Sequence, residues 1–213
     1  MEKIIPLRGI SCIEPLAGSG GWYWGTDCIH GDLYEAQELF QDRHPVTCSR
    51  LVFVHHPDGR VVEPIAGRAG QYFGRPIFLD GSIQILLVDF GASVIQICPY
   101  DPAEGRVGPS VSLPLSAVKD CYNLMLEGSP LMLTRHVVGQ ELQIIWPERK
   151  DFVLEDGECF CGREGDRLYF SAWFEDPDYR EEVVVRSFAT GAVAERIPGA
   201  LMEMPDGQRW ILR

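Results

Sequence analysis

Lysine is scarce in this chain: there are three, beside sixteen arginines, and the basic total of 19 falls far short of the 31 acidic residues. The resulting formal charge of −12 repels phosphate backbones and anionic headgroups, which argues against nucleic-acid and membrane-surface partners. Long apolar runs are missing too. None approaches the roughly 18 residues that a membrane span needs, and the opening Met1-Glu2-Lys3-Ile4-Ile5-Pro6 has an acid at once and no apolar leader core. The expectation is a cytoplasmic chain. The seven cysteines are an odd number without regular spacing, a pattern of reduced thiols rather than of a disulfide framework. There is no Gly-x-Ser-x-Gly elbow, phosphate loop or dinucleotide fingerprint, so no cofactor is expected.

What is present is a repeat. Glu14-Pro15-Leu16-Ala17-Gly18-Ser19-Gly20-Gly21-Trp22-Tyr23-Trp24-Gly25 returns 49 residues later as Glu63-Pro64-Ile65-Ala66-Gly67-Arg68-Ala69-Gly70-Gln71-Tyr72-Phe73-Gly74. Self-similarity at that period marks a solenoid, an array or a propeller. A polar residue followed by glycine recurs at His30-Gly31, Asp80-Gly81, Glu127-Gly128, Glu164-Gly165 and Asp206-Gly207. Glycine supplies the positive φ of tight hairpins, so each pair reads as a turn. Runs rich in β-branched and aromatic residues follow, at 33–39, 83–90, 131–138, 168–174 and 210–212. A second set of turns lies at Arg8-Gly9, Asp58-Gly59, Glu104-Gly105, residues 147–149 and Thr190-Gly191. Fourth strands then run to Glu14-Pro15, Glu63-Pro64, Leu113-Pro114, Leu154-Glu155 and Ile197-Pro198, with proline at strand ends where it removes no ladder donor.

Each unit is thus a four-stranded antiparallel meander of about 40 to 50 residues, the size of a propeller blade. Over its whole length the chain resembles the β-propeller superfamily, without a Trp-Asp or kelch signature. The expected fold is all-β: a single five-bladed β-propeller over residues 1–213. Its last blade is shared, residues 200–213 giving strands one and two and residues 1–15 giving strands three and four. Such sharing would remove exposed sheet edges. Residues 32–40 carry a helical signal, Asp32 with Glu35 as a capping box and an apolar stripe at Leu33, Ala36, Leu39 and Phe40. Their alignment with residues 82–88 favours a strand, and strand is the expectation. Residues 115–125 are similarly ambiguous.

In propellers, the turns between blades and those between second and third strands emerge together around the channel mouth. Here that face collects residues 15–22, 41–48, 64–71, 90–93, 135–140 and 175–182, and loops held by a rigid scaffold are where binding residues concentrate. The candidate ligand-binding residues are Trp22, Trp24, Gln71, Arg75, Arg135, His136, Arg163 and Tyr179. Indole faces suit sugars and cations, although aromatics on such strands more often pack between sheets. Arg75 and Arg163 follow matched glycines and, with Asp27 and Glu203, fit either a charged channel lining or internal ion pairs. His44 and His136, with Asp42 and Arg135, are an acid–base possibility; His30, His55 and His56 fall on the opposite face. The acidic stretch 175–182 lacks a calcium-loop pattern and reads as a solvated hairpin. Cys159-Phe160-Cys161 places two thiols on one side of a strand with no second pair to complete a tetrahedral metal site, so the metal expectation is none.

Two function classes follow. The first is a non-catalytic module binding a protein partner or a small-molecule or carbohydrate ligand on the loop face. The alternative is a carbohydrate-active enzyme, as in glycosidase-like five-bladed propellers. That alternative needs two carboxyl groups facing one another across about 5 to 9.5 Å, drawn from Asp27, Glu127, Glu158, Glu164, Glu203 and Asp206.

Overall fold

A computed structural model describes residues 2–27, 31–47, 49–204 and 208–213. Among the described residues the chain is mostly β, in five antiparallel sheets, several of them four-stranded, and it divides into two compact units, Met1–Leu126 and Glu127–Arg213. Among the described residues no helix is long and apolar enough to cross a membrane.

The first unit opens with β1 (Glu14–Pro15), β2 (Trp22–Thr26), β3 (Leu51–His55) and β4 (Arg60–Val62), paired in that order. Its second sheet contains β5 (Gln71–Phe73), β6 (Ile77–Leu79), β7 (Ser82–Asp89), β8 (Val94–Asp101), β9 (Arg106–Val107) and β10 (Val111–Pro114). The long hairpin β7–β8 is its centre, and β6 reaches β7 through the turn Asp80-Gly81, where both residues have positive φ, 50° and 78°. These are the torsions a two-residue hairpin needs to match strand twist. The two sheets close on a shared core: Trp22, Leu51 and Phe53 from one meet Phe73, Ile83, Ile85, Leu87 and Tyr100 from the other. The glycine that ends both copies of the repeat lets other segments pack close beside each sheet. A Cβ on Gly25 would come within 2.6 Å of the Cys12 carbonyl oxygen, and one on Gly74 within 2.7 Å of Leu86 and 2.8 Å of Leu33.

Residues 32–40 are not a strand: α1 spans Leu33–Gln41. The Asp32 carboxylate accepts from the backbone of Tyr34 and Glu35 at 2.8 and 2.9 Å, and Glu35 Oε2 accepts from the Asp32 backbone at 2.9 Å. Leu33 and Ala36 are buried, and the Gln37 amide oxygen accepts from the Cys121 backbone at 2.7 Å. With both ends of the capping box made and an apolar face covered, local preference overrides the repeat alignment. In consequence β3, not residues 33–39, pairs with β2, in the register Trp22↔His55. The ambiguous stretch resolves into a 3-10 turn at Leu115–Ala117 followed by β11 (Leu124–Glu127).

The third sheet is β11, β12 (Met132–Val137), β13 (Glu141–Trp146) and β14 (Lys150–Val153); the fourth is β15 (Cys159–Glu164), β16 (Arg167–Phe174), β17 (Arg180–Ser187) and β18 (Val193–Pro198). In the second unit Met132, Leu142, Ile144 and Phe152 pack against Phe160, Phe170, Ala172 and Val184. The chain ends in a two-stranded sheet, β19 (Ala200–Glu203) with β20 (Arg209–Leu212). Glu14–Pro15, expected as the outer strand of a shared terminal blade, pairs instead with β2, Glu14↔Trp24. Ile4 and Ile5 lie outside any strand. The turn at Asp206-Gly207, Cys28, Ile29, His30 and Cys48 lie outside the described residues.

Candidate functional site

The second unit carries an open cleft of about 410 Å³, built from two kinds of connection. The β16–β17 turn contributes Tyr179, Arg180 and Glu181, and the β18–β19 junction contributes Pro198, Gly199 and Ala200; the end of β20 adds Leu212 and Arg213. The turn is stiffened from within. Arg180 faces Phe174 across the hairpin and its guanidinium lies 4.3 Å from that ring, while Nη1 donates to the Asp176 carbonyl at 3.1 Å. Cation–π contact of this kind orients the turn more than it stabilises the fold. Tyr179 is 67% exposed, and its hydroxyl donates to Glu181. That hydrogen bond pushes the phenol's pKa above its ordinary value and occupies its one proton, so the ring meets the cleft with its face and a hydroxyl acceptor.

The floor depends on Gly199. Its φ is +125°, its amide donates to the Glu181 carbonyl at 2.9 Å, and a Cβ there would collide with the Leu212 carbonyl. Only glycine lets the end of β20 come this close. The cleft is therefore lined by a phenol ring, the apolar edges of Pro198, Ala200 and Leu212, and charged residues of both signs, Arg180, Glu181 and Arg213.

The other expected site residues lie elsewhere. Trp22 is 6% exposed within the first unit's core, its ring 4.9 Å from that of His55 and 5.1 Å from the Arg60 guanidinium. Trp24 is half-buried against the same core. Gln71 is buried and spans its own turn: its amide donates to Asp89 at 2.9 Å and its oxygen accepts from the Arg68 backbone at 3.0 Å. Arg75 is exposed. Arg135 is buried and pairs with Glu141 at 2.6 Å across its hairpin. Arg163 lies 3.4 Å from the Phe188 ring centroid and donates to the Gly165 carbonyl at 2.8 Å. Tyr179 is thus the member of the set that reaches the cleft.

His136 is buried, and burial pushes its pKa below the ordinary value. Its Nε2 stands 3.6 Å from the Cys159 sulfur. Burial, then the neighbouring Cys161 and Glu127, push the Cys159 thiol up, opposite to the lowered pKa of an activated cysteine nucleophile. Among the described residues, no group of three or more His, Cys, Asp or Glu side chains is disposed to hold a metal ion. Of the carboxylates considered for sugar chemistry, Glu158 is 1% exposed and bound to Arg186. Glu164 accepts from the Tyr169 hydroxyl at 3.2 Å, and Asp27 from the Arg50 backbone at 3.2 Å. Asp206 lies outside the described residues.

The sequence pointed to the 175–182 loop through its connection type, and the cleft is made there. The β18–β19 junction was not among the segments expected on that face, although it is a sheet-to-sheet connection of the same kind. The other missed lining came from Leu212 and Arg213, because nothing local says that the end of β20 folds back over a glycine.

No family model matches the chain, and no curated protein matches it. Among solved structures it is similar to prolyl oligopeptidase B from Galerina marginata, bound to a 35mer hydrolysis and macrocyclization substrate. The identity is 11% and the TM-score 0.44, with 88% of this chain covered and 28% of that one. The chain thus spans about a quarter of that protein's length, and no activity is carried over from it.

Proposed function

We propose that this chain is a non-catalytic binding module and that the Tyr179 cleft is its contact surface. The observation that carries the reading is the convergence of a second-to-third-strand turn and a sheet-to-sheet junction on one open cleft with an exposed phenol. The fitting ligand is a protein loop or small molecule offering an apolar face to Tyr179, Pro198 and Leu212. The finer architectural reading, a five-bladed propeller, is supported by the 49-residue repeat and by the number of sheets. A cytoplasmic setting is proposed on the same footing as before, from composition. The carbohydrate-active alternative is less well supported, since Glu158 is already neutralised by Arg186.

The test is a thermal-shift screen against saccharides, nucleotides and carboxylate-bearing peptides, with turnover assayed for each hit. A ligand at a hundredfold excess over its Kd stabilises the native state by about 2.7 kcal/mol. The expected outcome is a hit without turnover whose shift disappears in Tyr179→Ala. A hit that persists in that variant, or that is chemically converted, overturns the reading.

A further inference from the structure

Cys159 and Cys161 are free thiols, both half-buried rather than sealed in a core. They differ in this from Cys98, which is buried among the apolar residues of the first unit, with the Ser110 hydroxyl donating to its sulfur at 3.3 Å. In a regular strand, residues two apart have Cα atoms separated by about 6.6 to 6.8 Å. That is the upper limit at which a disulfide can bridge them. Here the strand is not regular. Cys159 pairs with Ser171 and Phe160 with Phe170, but the next partner, Tyr169, faces Gly162, so Cys161 is the extra residue of a β-bulge. A bulge bends the strand and leaves its additional residue unpaired, so Cys161 is not held in the ladder as Cys159 is. Gly162 makes it possible: its φ is +137°, and a Cβ would lie 2.7 Å from Arg209 Nη2.

The Cys161 sulfur donates back to the Cys159 carbonyl at 3.3 Å, while the Cys159 sulfur lies 4.0 Å from the Phe160 carbonyl oxygen. On the other side of Cys159, His136 Nε2 is at 3.6 Å, placed to take the thiol proton in the tautomer protonated on Nδ1. We propose that Cys159 and Cys161 are an oxidisable dithiol, a modification site at which small-molecule disulfides such as glutathione disulfide close a Cys159–Cys161 bond. In the first step one cysteine thiolate attacks a sulfur of glutathione disulfide, forms a mixed disulfide and releases one glutathione. In the second, the other thiolate attacks the protein sulfur of that mixed disulfide and releases the second glutathione. The two protein thiols are oxidised, the small disulfide is reduced to two thiols, and the protons pass through His136 and water to the leaving thiolates.

The experiment uses the full chain, reduced, freed of reductant and incubated with glutathione disulfide. Remaining thiols are then alkylated, and the peptide containing residues 159–161 is read by mass spectrometry. The expected product has lost two hydrogens and carries neither an alkyl group nor glutathione, and dithiothreitol restores two alkylatable thiols. In Cys161→Ser, ring closure is impossible and Cys159 appears as the alkylated or glutathione-bearing form. Recovery of the wild-type peptide with both cysteines alkylated, with glutathione retained on one of them, or cross-linked to another cysteine overturns the proposal.

Discussion

Glu158 and Arg186 form a bidentate ion pair with side chains 1% and 9% exposed, the Arg186 Nη2 nitrogen lying 2.8 and 2.9 Å from the two carboxylate oxygens. The remaining bonding capacity is also used: the Glu155 backbone donates to Glu158, and Arg186 donates to the Gly191 carbonyl at 3.2 Å. Two charges taken out of water roughly break even when they satisfy each other, but a lone survivor does not. Glu158→Ala is therefore expected to destabilise the fold by up to about 3 to 5 kcal/mol, because it leaves the buried guanidinium with only the more exposed Glu155 carboxylate, at 3.6 Å, to balance its charge. Replacing both residues together, Glu158→Leu with Arg186→Met, is expected to cost much less. Urea denaturation of the two single variants and the double variant checks this, and equal losses in all three would count against it.

Trp22 and Tyr179, both expected from the sequence as ligand contacts, lie in different surroundings, one buried and the other exposed. Trp22→Ala removes a buried ring from between Leu51, Phe53 and the second sheet, and the loss is expected to be about 3 to 5 kcal/mol of stability. Tyr179→Ala alters an exposed side chain, and its stability is expected to stay within about 0.5 kcal/mol of the parent. Ligand affinity should respond in the opposite sense, weakened by Tyr179→Ala and little changed by Trp22→Ala at temperatures where that variant is folded. Chemical denaturation paired with binding isotherms on both variants makes the comparison.

Asp32→Ala is expected to cost about 1 kcal/mol, since it removes the acceptor for two backbone donors at the start of α1. Equilibrium denaturation measures it; in a strand, with no cap to lose, the same change would be close to neutral.

The same residue shows how far the sequence could be read. First strands were expected to begin around Tyr23, Tyr72, Tyr122, Phe160 and Met202, and they begin at Trp22, Gln71, Leu124, Cys159 and Ala200, within one or two residues each because the turn glycines are a local signal. The helix was legible locally as well, in the Asp32–Glu35 pair, and was lost by giving weight to an alignment that the first copy does not obey. Exposure was the least legible property. Trp22 and Tyr179 are both aromatic and both near predicted loops, yet one is covered by a neighbouring sheet and the other is not. That difference comes from which sheet packs where, and no spacing within the chain encodes it. The bulge at Cys161 lies between these cases: the glycine after Cys-x-Cys marks a possible irregularity, but only the register shows that it is one.

His136 makes stability depend on pH in a predictable direction. Burial holds its folded-state pKa below the ordinary value of about 6.5, so the unfolded chain binds this proton more readily than the folded one. Above about pH 6.5 the imidazole is neutral in both states and contributes no dependence. As the pH falls through that value the unfolded state takes up the proton first, and stability declines until the lower folded-state pKa is reached. A single such group gives a slope of at most about 1.4 kcal/mol per pH unit. His136→Gln is expected to flatten the part of the stability profile just below pH 6.5 by up to that slope, whatever it does to the plateau at neutral pH. Urea midpoints measured in steps across that window for both proteins test the assignment, and parallel profiles would place the titrating group elsewhere.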